Sequence, residues 1–342
     1  MSDFDSSFEA RVLSELFRPR SVADPNVRGA RKLMSAYGGA RAGGTRARLA
    51  RVVSRTPEVM VKVTCRKQGV QKLTAHFDYI GRKGKVALET RDGDILAEQI
   101  DRSELARDWS DPAYRRDKAT VAAVSMVFSM PAGTGADAVL AAVGEVARSE
   151  IAHEWDYVLA LHTDTPRPHV HLTVAARGDT GLRFNPRRHT LHHYRERFAE
   201  ELRERGVAAE ATPRRVRGVG RAGQSTALLR ARERYRAGTG PAPKANGKIT
   251  VAAYAQIRCQ SGAPLFVARG KRAWEAVCRH YLAAAQRLAG STDPKDRQLA
   301  DEVRAFVRVG RSPTVHERTV AAMERKMKRE SPERTRSPER SR

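Results

Sequence analysis

Apolar residues keep no lasting period until Thr56. One short amphipathic piece, Phe8–Phe17, fits a helix. The segment RGARKLMSAYGGARAGGTRARLARVVSRT mixes Gly, Ala and Arg, so residues 1–56 are expected to form a weakly ordered basic arm. From 57 to 64 (PEVMVKVT) the pattern alternates and is β-branched, which predicts a strand. The stretch 67–80 (KQGVQKLTAHFDYI) sets Val70, Leu73, Phe77 and Ile80 at helical spacing, and Gly81 and Gly84 stop it. Asp92-Gly93 signals a hairpin within 86–96. A second strand is expected over 121–130 (VAAVSMVFSM), ended by Pro131-Ala-Gly133, followed by an amphipathic helix over 137–151. Two more strands, 156–162 (DYVLALH) and 169–176 (HVHLTVAA), are joined by the short TDTPRP loop. A charged helix over 191–205 closes on Gly206.

This order predicts an α+β domain over 57–220, with a central, largely antiparallel β-sheet and flanking helices. The short 163–168 connection makes the last two strands antiparallel neighbours. Residues 221–248 read as a linker with one helical piece near 228–235, and 249–309 regain helical periodicity as a small accessory region. From 310 to 342 the Ser-Pro-Glu-Arg repeats predict a disordered basic tail.

Charge adds a class of partner. The 342 residues carry 64 Lys and Arg against 39 Asp and Glu, a net charge of +25 that favours a polyanion. Arginine and alanine are frequent along the whole chain, so the charge counts for less than a local patch would. The three cysteines, Cys65, Cys259 and Cys278, form no CxxC pair. That argues against a disulfide framework or thiolate zinc site and for a reducing cytoplasm. The opening MSDFDSSFEARVLSELF lacks the basic start and apolar run of a leader peptide. No stretch approaches the roughly 20 apolar residues of a membrane span, so no membrane insertion is expected.

The candidate chemistry lies in the last two strands. Side chains alternate along a strand, so His169 and His171 share a face, about 6–7 Å apart. Val170, Leu172 and Val174 then face the core, leaving His169, His171 and Thr173 on the open side. A hairpin return brings His162 beside the pair, giving three neutral nitrogen ligands for one metal ion. Asp164 stands ready to orient a ligand histidine through its second N–H, or to accept a proton. Two strand histidines can equally do no more than cover a sheet. His189, His192 and His193, on the charged helix, read as solvated.

The run His162-Thr-Asp164-Thr-Pro-Arg-Pro-His169-Val-His171-Leu-Thr-Val174 closely resembles the third motif of conjugative relaxases, the mobilisation nucleases of the HUH endonuclease superfamily. The upstream His and Asp resemble its P-type mobilisation class, to which VirD-type T-DNA border endonucleases belong. Lys72-Leu-Thr-Ala-His-Phe-Asp-Tyr79-Ile-Gly-Arg82-Lys83-Gly84-Lys85 resembles the first motif, whose tyrosine is the nucleophile. Val127-Phe-Ser129-Met-Pro131-Ala-Gly133-Thr134 resembles the second, where the serine helps to hold DNA. Two departures stand out. The family's tyrosine usually lies close to the N-terminus, and Gly81 stands where Ser or Thr is commoner.

The resemblance implies the HUH relaxase fold and a catalytic pair, Tyr79 and Asp164. It implies a Mg²⁺ or Mn²⁺ ion on His162, His169 and His171, and a DNA contact from Ser129. Arg82, Lys83 and Lys85, directly after Tyr79, are candidate phosphate contacts or else a solvated basic turn. The implied activity is a strand-specific nick in single-stranded DNA at an origin of transfer, through a 5′-phosphotyrosine adduct that starts conjugative mobilisation. The implied partners are auxiliary mobilisation proteins and a type IV coupling protein, with export from the cytoplasm alongside the DNA. A tyrosine ester conserves the phosphodiester energy, and the metal draws charge from the phosphate oxygens. A phenol titrates at about 10, so its proton needs an acceptor: the metal, Asp164 or a bound water. Arg187, Arg188, Arg214, Arg215 and Arg217 are further candidates to track the strand. Rolling-circle initiators and transposases of the superfamily generally place their tyrosine after the His-x-His pair, whereas Tyr79 precedes it. A catalytically inactive DNA-binding accessory protein and an unrelated metal-dependent hydrolase are the remaining readings.

Overall fold

The computed structural model describes residues 4–17, 44–111, 120–219, 226–243 and 247–330. The chain divides into two compact units, one of residues 18–212 and the other of residues 2–17 with 213–342. The first unit is built on a five-stranded sheet in the order β1-β3-β5-β4-β2, every neighbouring pair antiparallel. Its strands are β1 (Met60–Lys67), β2 (Glu89–Thr90), β3 (Ala123–Ser129), β4 (Tyr157–His162) and β5 (His169–Ala175). This is the α+β class with a central antiparallel sheet that the alternation predicts. The hairpin expected within 86–96 shrinks to a two-residue strand with a turn at Gly93, whose φ of 93° suits glycine.

Helices cover both faces. On one face, α5 (Ala136–Glu150) and α6 (Arg188–Glu204) pack over Val124, Met126 and Phe128 of β3 and Val170, Leu172 and Val174 of β5. On the other lie α3 (Val70–Ile80) and α4 (Gln99–Asp108), with Leu73, Phe77 and Ile80 buried against Ala123, Val158 and Ala160. The face expected to be open is therefore roofed along part of its length: Thr173 is fully buried and His171 nearly so. The cause is the apolar stripe of α3, which must be buried somewhere and finds the small side chains Ala123 and Ala160.

Among the described residues of this first unit, two helices stand where the pattern predicts none. The helix α2 (Thr45–Val53) falls in the expected basic arm. It buries Leu49 and Val52, and its arginines have structural partners: Arg48 donates to Glu196 at 2.9 Å and Arg51 to Glu210 at 2.6 Å. The helix α4 hides because its buried positions are Arg102 and Ala106 rather than a hydrophobic stripe.

The second unit is helical. The expected helix α1 (Phe8–Phe17) buries Leu13 and Phe17, and Arg215 donates to the carbonyl of Leu16 at 2.7 Å. That bond ties Arg215 to the end of α1. The helical piece near 228–235 is α7 (Thr226–Arg236), followed by α8 (Gly247–Arg258), α9 (Leu265–Ala289) and α10 (Pro294–Val309). The hydroxyl of Tyr281 on α9 donates to the Val216 carbonyl at 2.6 Å. The expected tail begins with a helix instead, α11 (Val315–Glu330), which buries His316 against Gln256 on α8. The repeats at 331–342 lie outside the described residues.

Candidate metal centre and nucleophile

The antiparallel register of β4 and β5 sets His162 opposite His169, so both rings emerge on one face, with His171 two residues further on the same face. One nitrogen from each of the three lies within 4.8 Å of the others. The six-residue turn between the strands, 163–168, is stiffened by Pro166 and Pro168.

The hydrogen bonds assign the tautomers. The Ile80 carbonyl can only accept, so Nε2–H of His162 donates to it at 2.6 Å. The Arg82 guanidinium can only donate, so Nδ1 of His162 accepts from it at 3.2 Å. Nδ1–H of His169 donates to the Arg167 carbonyl at 3.1 Å, which leaves its Nε2 lone pair unused. Nδ1 of His171 is buried without a hydrogen-bond partner.

Burial, then the nearby His162, His169, His76 and Arg82, pushes the His171 imidazole down to about 3. Burial also lowers His162, outweighing the Ile80 carbonyl that pulls the other way. Both shifts favour the neutral imidazoles; the Nδ1 lone pair of His162 is engaged by Arg82, which would have to yield it to a metal ion. Neutral imidazoles at this spacing, one with an orphaned buried nitrogen, fit a divalent transition-type cation.

Tyr79 closes the last turn of α3 and is 58% exposed at the rim of this cluster. Its ring stands edge-on to that of His171, the centroids 6.2 Å apart. The chain then turns sharply, with Arg82 and Lys83 both left-handed (φ 49° and 57°) ahead of Gly84 (φ 90°). Each non-glycine residue in that region costs about 1–2 kcal/mol, and such costs concentrate at functional sites. The turn swings Arg82 back over the site. Its guanidinium carbon lies 5.2 Å from the Tyr79 ring centre, and Nη2 donates to Asp164 at 2.5 Å.

The expected residues thus divide. His162, His169, His171 and Tyr79 converge, and Arg82, expected as a DNA contact, stands inside the cluster. Asp164 reaches the site through Arg82, in place of the expected bond to a ligand histidine. Ser129 pairs in register with His169 on the same face, its hydroxyl donating to the Met130 carbonyl at 3.3 Å. Lys83 and Lys85 are exposed on the turn, and among the described residues no hydrogen bond or ion pair ties them to the cluster. Sequence reasoning turns His76 and Asp78 away from the site. Asp78 does turn away, to the buried Arg102 at 2.9 Å. His76 points inward beneath the histidines, its ring nitrogen 3.0 Å from the Thr173 hydroxyl. Its position three residues before Tyr79, on the same side of the helix, was the available signal.

Residues 79–207 match the family described as relaxase, MobA/VirD2-like, nuclease domain. This segment is similar to MobA/VirD2-like relaxase nuclease domains. The match opens on Tyr79 and takes in all three histidines, Asp164 and Ser129. The chain is 29% identical over 174 residues to the T-DNA border endonuclease VirD2 of Rhizobium radiobacter, covering 44% of this chain and 40% of that protein. It is 30% identical over 172 residues to VirD2 of Agrobacterium fabrum strain C58, covering 44% and 38%. The chain thus spans about two fifths of the length of the curated relatives it matches. A solved structure titled "Molecular Basis of Vancomycin Resistance Transfer in Staphylococcus aureus" aligns over 46% of this chain and 99% of its own, at 12% identity and a TM-score of 0.32. No helix among the described residues is long and apolar enough to cross a membrane.

Proposed function

We propose that this relaxase domain nicks one strand of DNA at an origin of transfer by tyrosine transesterification. The observation that carries the reading is the placement of the Tyr79 ring edge-on to His171, beside three histidine nitrogens that lie within 4.8 Å of one another. A divalent ion held by His162, His169 and His171, for which Mn²⁺ suits three imidazoles better than Mg²⁺, would draw charge from the non-bridging oxygens of the scissile phosphate. Tyr79 Oη attacks phosphorus. The new Oη–P bond forms as the P–O3′ bond breaks, leaving a 5′-phosphotyrosine and a 3′ hydroxyl that has gained a proton. Asp164 or a water beside it takes the tyrosine proton. Arg82, held between Asp164 and the Tyr79 ring, is placed to meet the phosphate as charge builds on it. Ser129, Lys83 and Lys85 steady the strand.

The likeness to VirD2 endonucleases supports single-stranded DNA as substrate. It also motivates, as part of the same reading, conjugative mobilisation with auxiliary proteins and export through a type IV system. The test is incubation of the full chain with Mn²⁺ and a labelled single-stranded origin oligonucleotide, followed by denaturing electrophoresis. A covalent adduct that disappears in Tyr79→Phe, and in wild type with chelator, is the expected result. An adduct that survives Tyr79→Phe overturns the assignment.

A further inference from the structure

The nucleophile and its metal ligands sit on different elements, Tyr79 on α3 and His171 on β5. Something must set the helix in register on the strand. Two contacts do so. Tyr79 meets the His171 ring, and three residues earlier His76 meets the Thr173 hydroxyl at 3.0 Å. Three residues of helix rise about 4.5 Å and two of strand about 6.7 Å, so one helical ridge rides on one row of the strand. Apart from the His162 bond to the Ile80 carbonyl at its end and the Asp78–Arg102 pair to α4, the packing of α3 is apolar: Leu73, Phe77 and Ile80 against Leu88, Val158 and Ala160. Apolar contacts are non-directional and tolerate a small slide or roll. A hydrogen bond is directional, and here it lies between two buried groups.

The bond also has an anchored far end. The Thr173 hydroxyl donates onward to Ser125 Oγ at 3.2 Å, so Nε2–H of His76 is the donor to Thr173. Three polar side chains on α3, β5 and β3 thus form one buried chain, and losing any member leaves a desolvated partner. His76 precedes the segment that matches the relaxase family, which begins at Tyr79.

We propose that His76 is a positioning residue, its bond to Thr173 fixing the register in which α3 presents Tyr79 to the histidine cluster. This rests on the reading of Tyr79 as nucleophile. A glutamine places an amide N–H where Nε2 stands, whereas phenylalanine keeps the ring volume without the donor. With wild type forming its Tyr79-dependent adduct, His76→Phe is expected to lower kcat for cleavage about 10- to 100-fold, the cost of misplacing a reacting group by about 1 Å. KM for the oligonucleotide and Mn²⁺ affinity stay within about twofold, since neither binding surface is touched. His76→Gln recovers most of the rate. Thr173→Val matches His76→Phe, and the double variant is no slower than either single one. Equal losses in His76→Phe and His76→Gln, a loss carried by KM, or additive losses in the double variant overturn the proposal.

A second readout stands apart from catalysis: the ring-current shift that Tyr79 imposes on the His171 ring proton signals, identified by its disappearance in Tyr79→Leu. It is expected to vanish in His76→Phe and persist in His76→Gln. Its persistence in His76→Phe overturns the positioning role, whereas a wild type without adduct overturns the nicking reading alone.

Discussion

The two faces of the central sheet obey different rules. Beneath α5 and α6 the strands present Val124, Met126, Phe128, Val170, Leu172 and Val174, and the helices answer with Val139, Val143, Val146, Phe198 and Leu202. Beneath α3 the sheet presents, beside Ala123, Val158 and Ala160, the polar Ser125, Thr173, His171 and His162, all buried and several hydrogen-bonded. The first face is held by area removed from water and is indifferent to direction. The second gives up some of that stabilisation to hold particular atoms at particular places. One sheet thus separates the source of stability from the seat of the proposed chemistry, and substitutions on the two faces should differ in kind.

The largest loss of stability is expected on the apolar face. Phe198→Ala removes a fully buried ring that stands edge-on to Phe128 at 5.4 Å. It should cost about 3–5 kcal/mol in urea unfolding. Any adduct still formed by the folded fraction should keep its normal pH profile. A changed profile would break the separation between faces. Next comes the α3–α4 pair. Asp78→Asn strips the charge partner from Arg102, a guanidinium whose side chain is 4% exposed. Because Asp78 itself is partly exposed, about 2–3 kcal/mol is expected rather than the full cost of breaking a buried pair. Adding Arg102→Met should restore part of it; no recovery would place the loss elsewhere.

The polar face should also carry an acid sensitivity that the apolar face lacks. Burial, and to a smaller degree Lys67, lowers the His76 imidazole from 6.5 to about 4. Above pH 6.5 this ring is neutral in both folded and unfolded chains and contributes no pH dependence. Below that, the unfolded chain takes up a proton that the folded chain refuses until about pH 4. Stability therefore falls as pH falls across this window, by up to about 1.4 kcal/mol per unit from this one group. Buried His171 adds to the slope in metal-free protein. His76→Phe should flatten the dependence of urea midpoint on pH between those limits. An unchanged slope would mean that His76 is solvated.

These two faces were unequally legible. Strict alternation exposed β1, β4 and β5, and with them the triad, because His162, His169 and His171 occupy positions that a hairpin brings together by register alone. The apolar stripe of α3 was equally plain. What periodicity cannot see is a polar side chain doing the work of an apolar one. His76 sits at a core position of α3 and Arg102 at one of α4, so the first was set aside and the second helix was missed altogether. In α2 the arginines masked Leu49 and Val52, and in α11 the repeats beyond it coloured the reading. The choice of Tyr79 among eight tyrosines came from family likeness. Nor does composition announce the left-handed turn at Arg82 and Lys83, which converts a presumed surface arginine into a member of the site.

That turn supports the smallest expected effect on stability and a sharp test of the site. The Arg82–Asp164 pair is about one-third and one-half exposed, with side-chain accessibilities of 32% and 51%. Solvent screens such pairs, so Asp164→Asn should change stability by no more than about 0.5–1 kcal/mol. Its effect on cleavage separates two roles for the carboxylate. If Asp164 takes the tyrosine proton itself, the substitution lowers kcat at neutral pH and removes the acidic limb of the pH–rate profile. If it acts by holding Arg82 over Tyr79, the limb survives, and Arg82→Lys alone should be as slow as the double variant with Asp164→Asn. The second outcome is expected. In the structure the carboxylate is joined to a cation that already bridges the phenol and His162, and a pair built to hold a guanidinium need not move a proton.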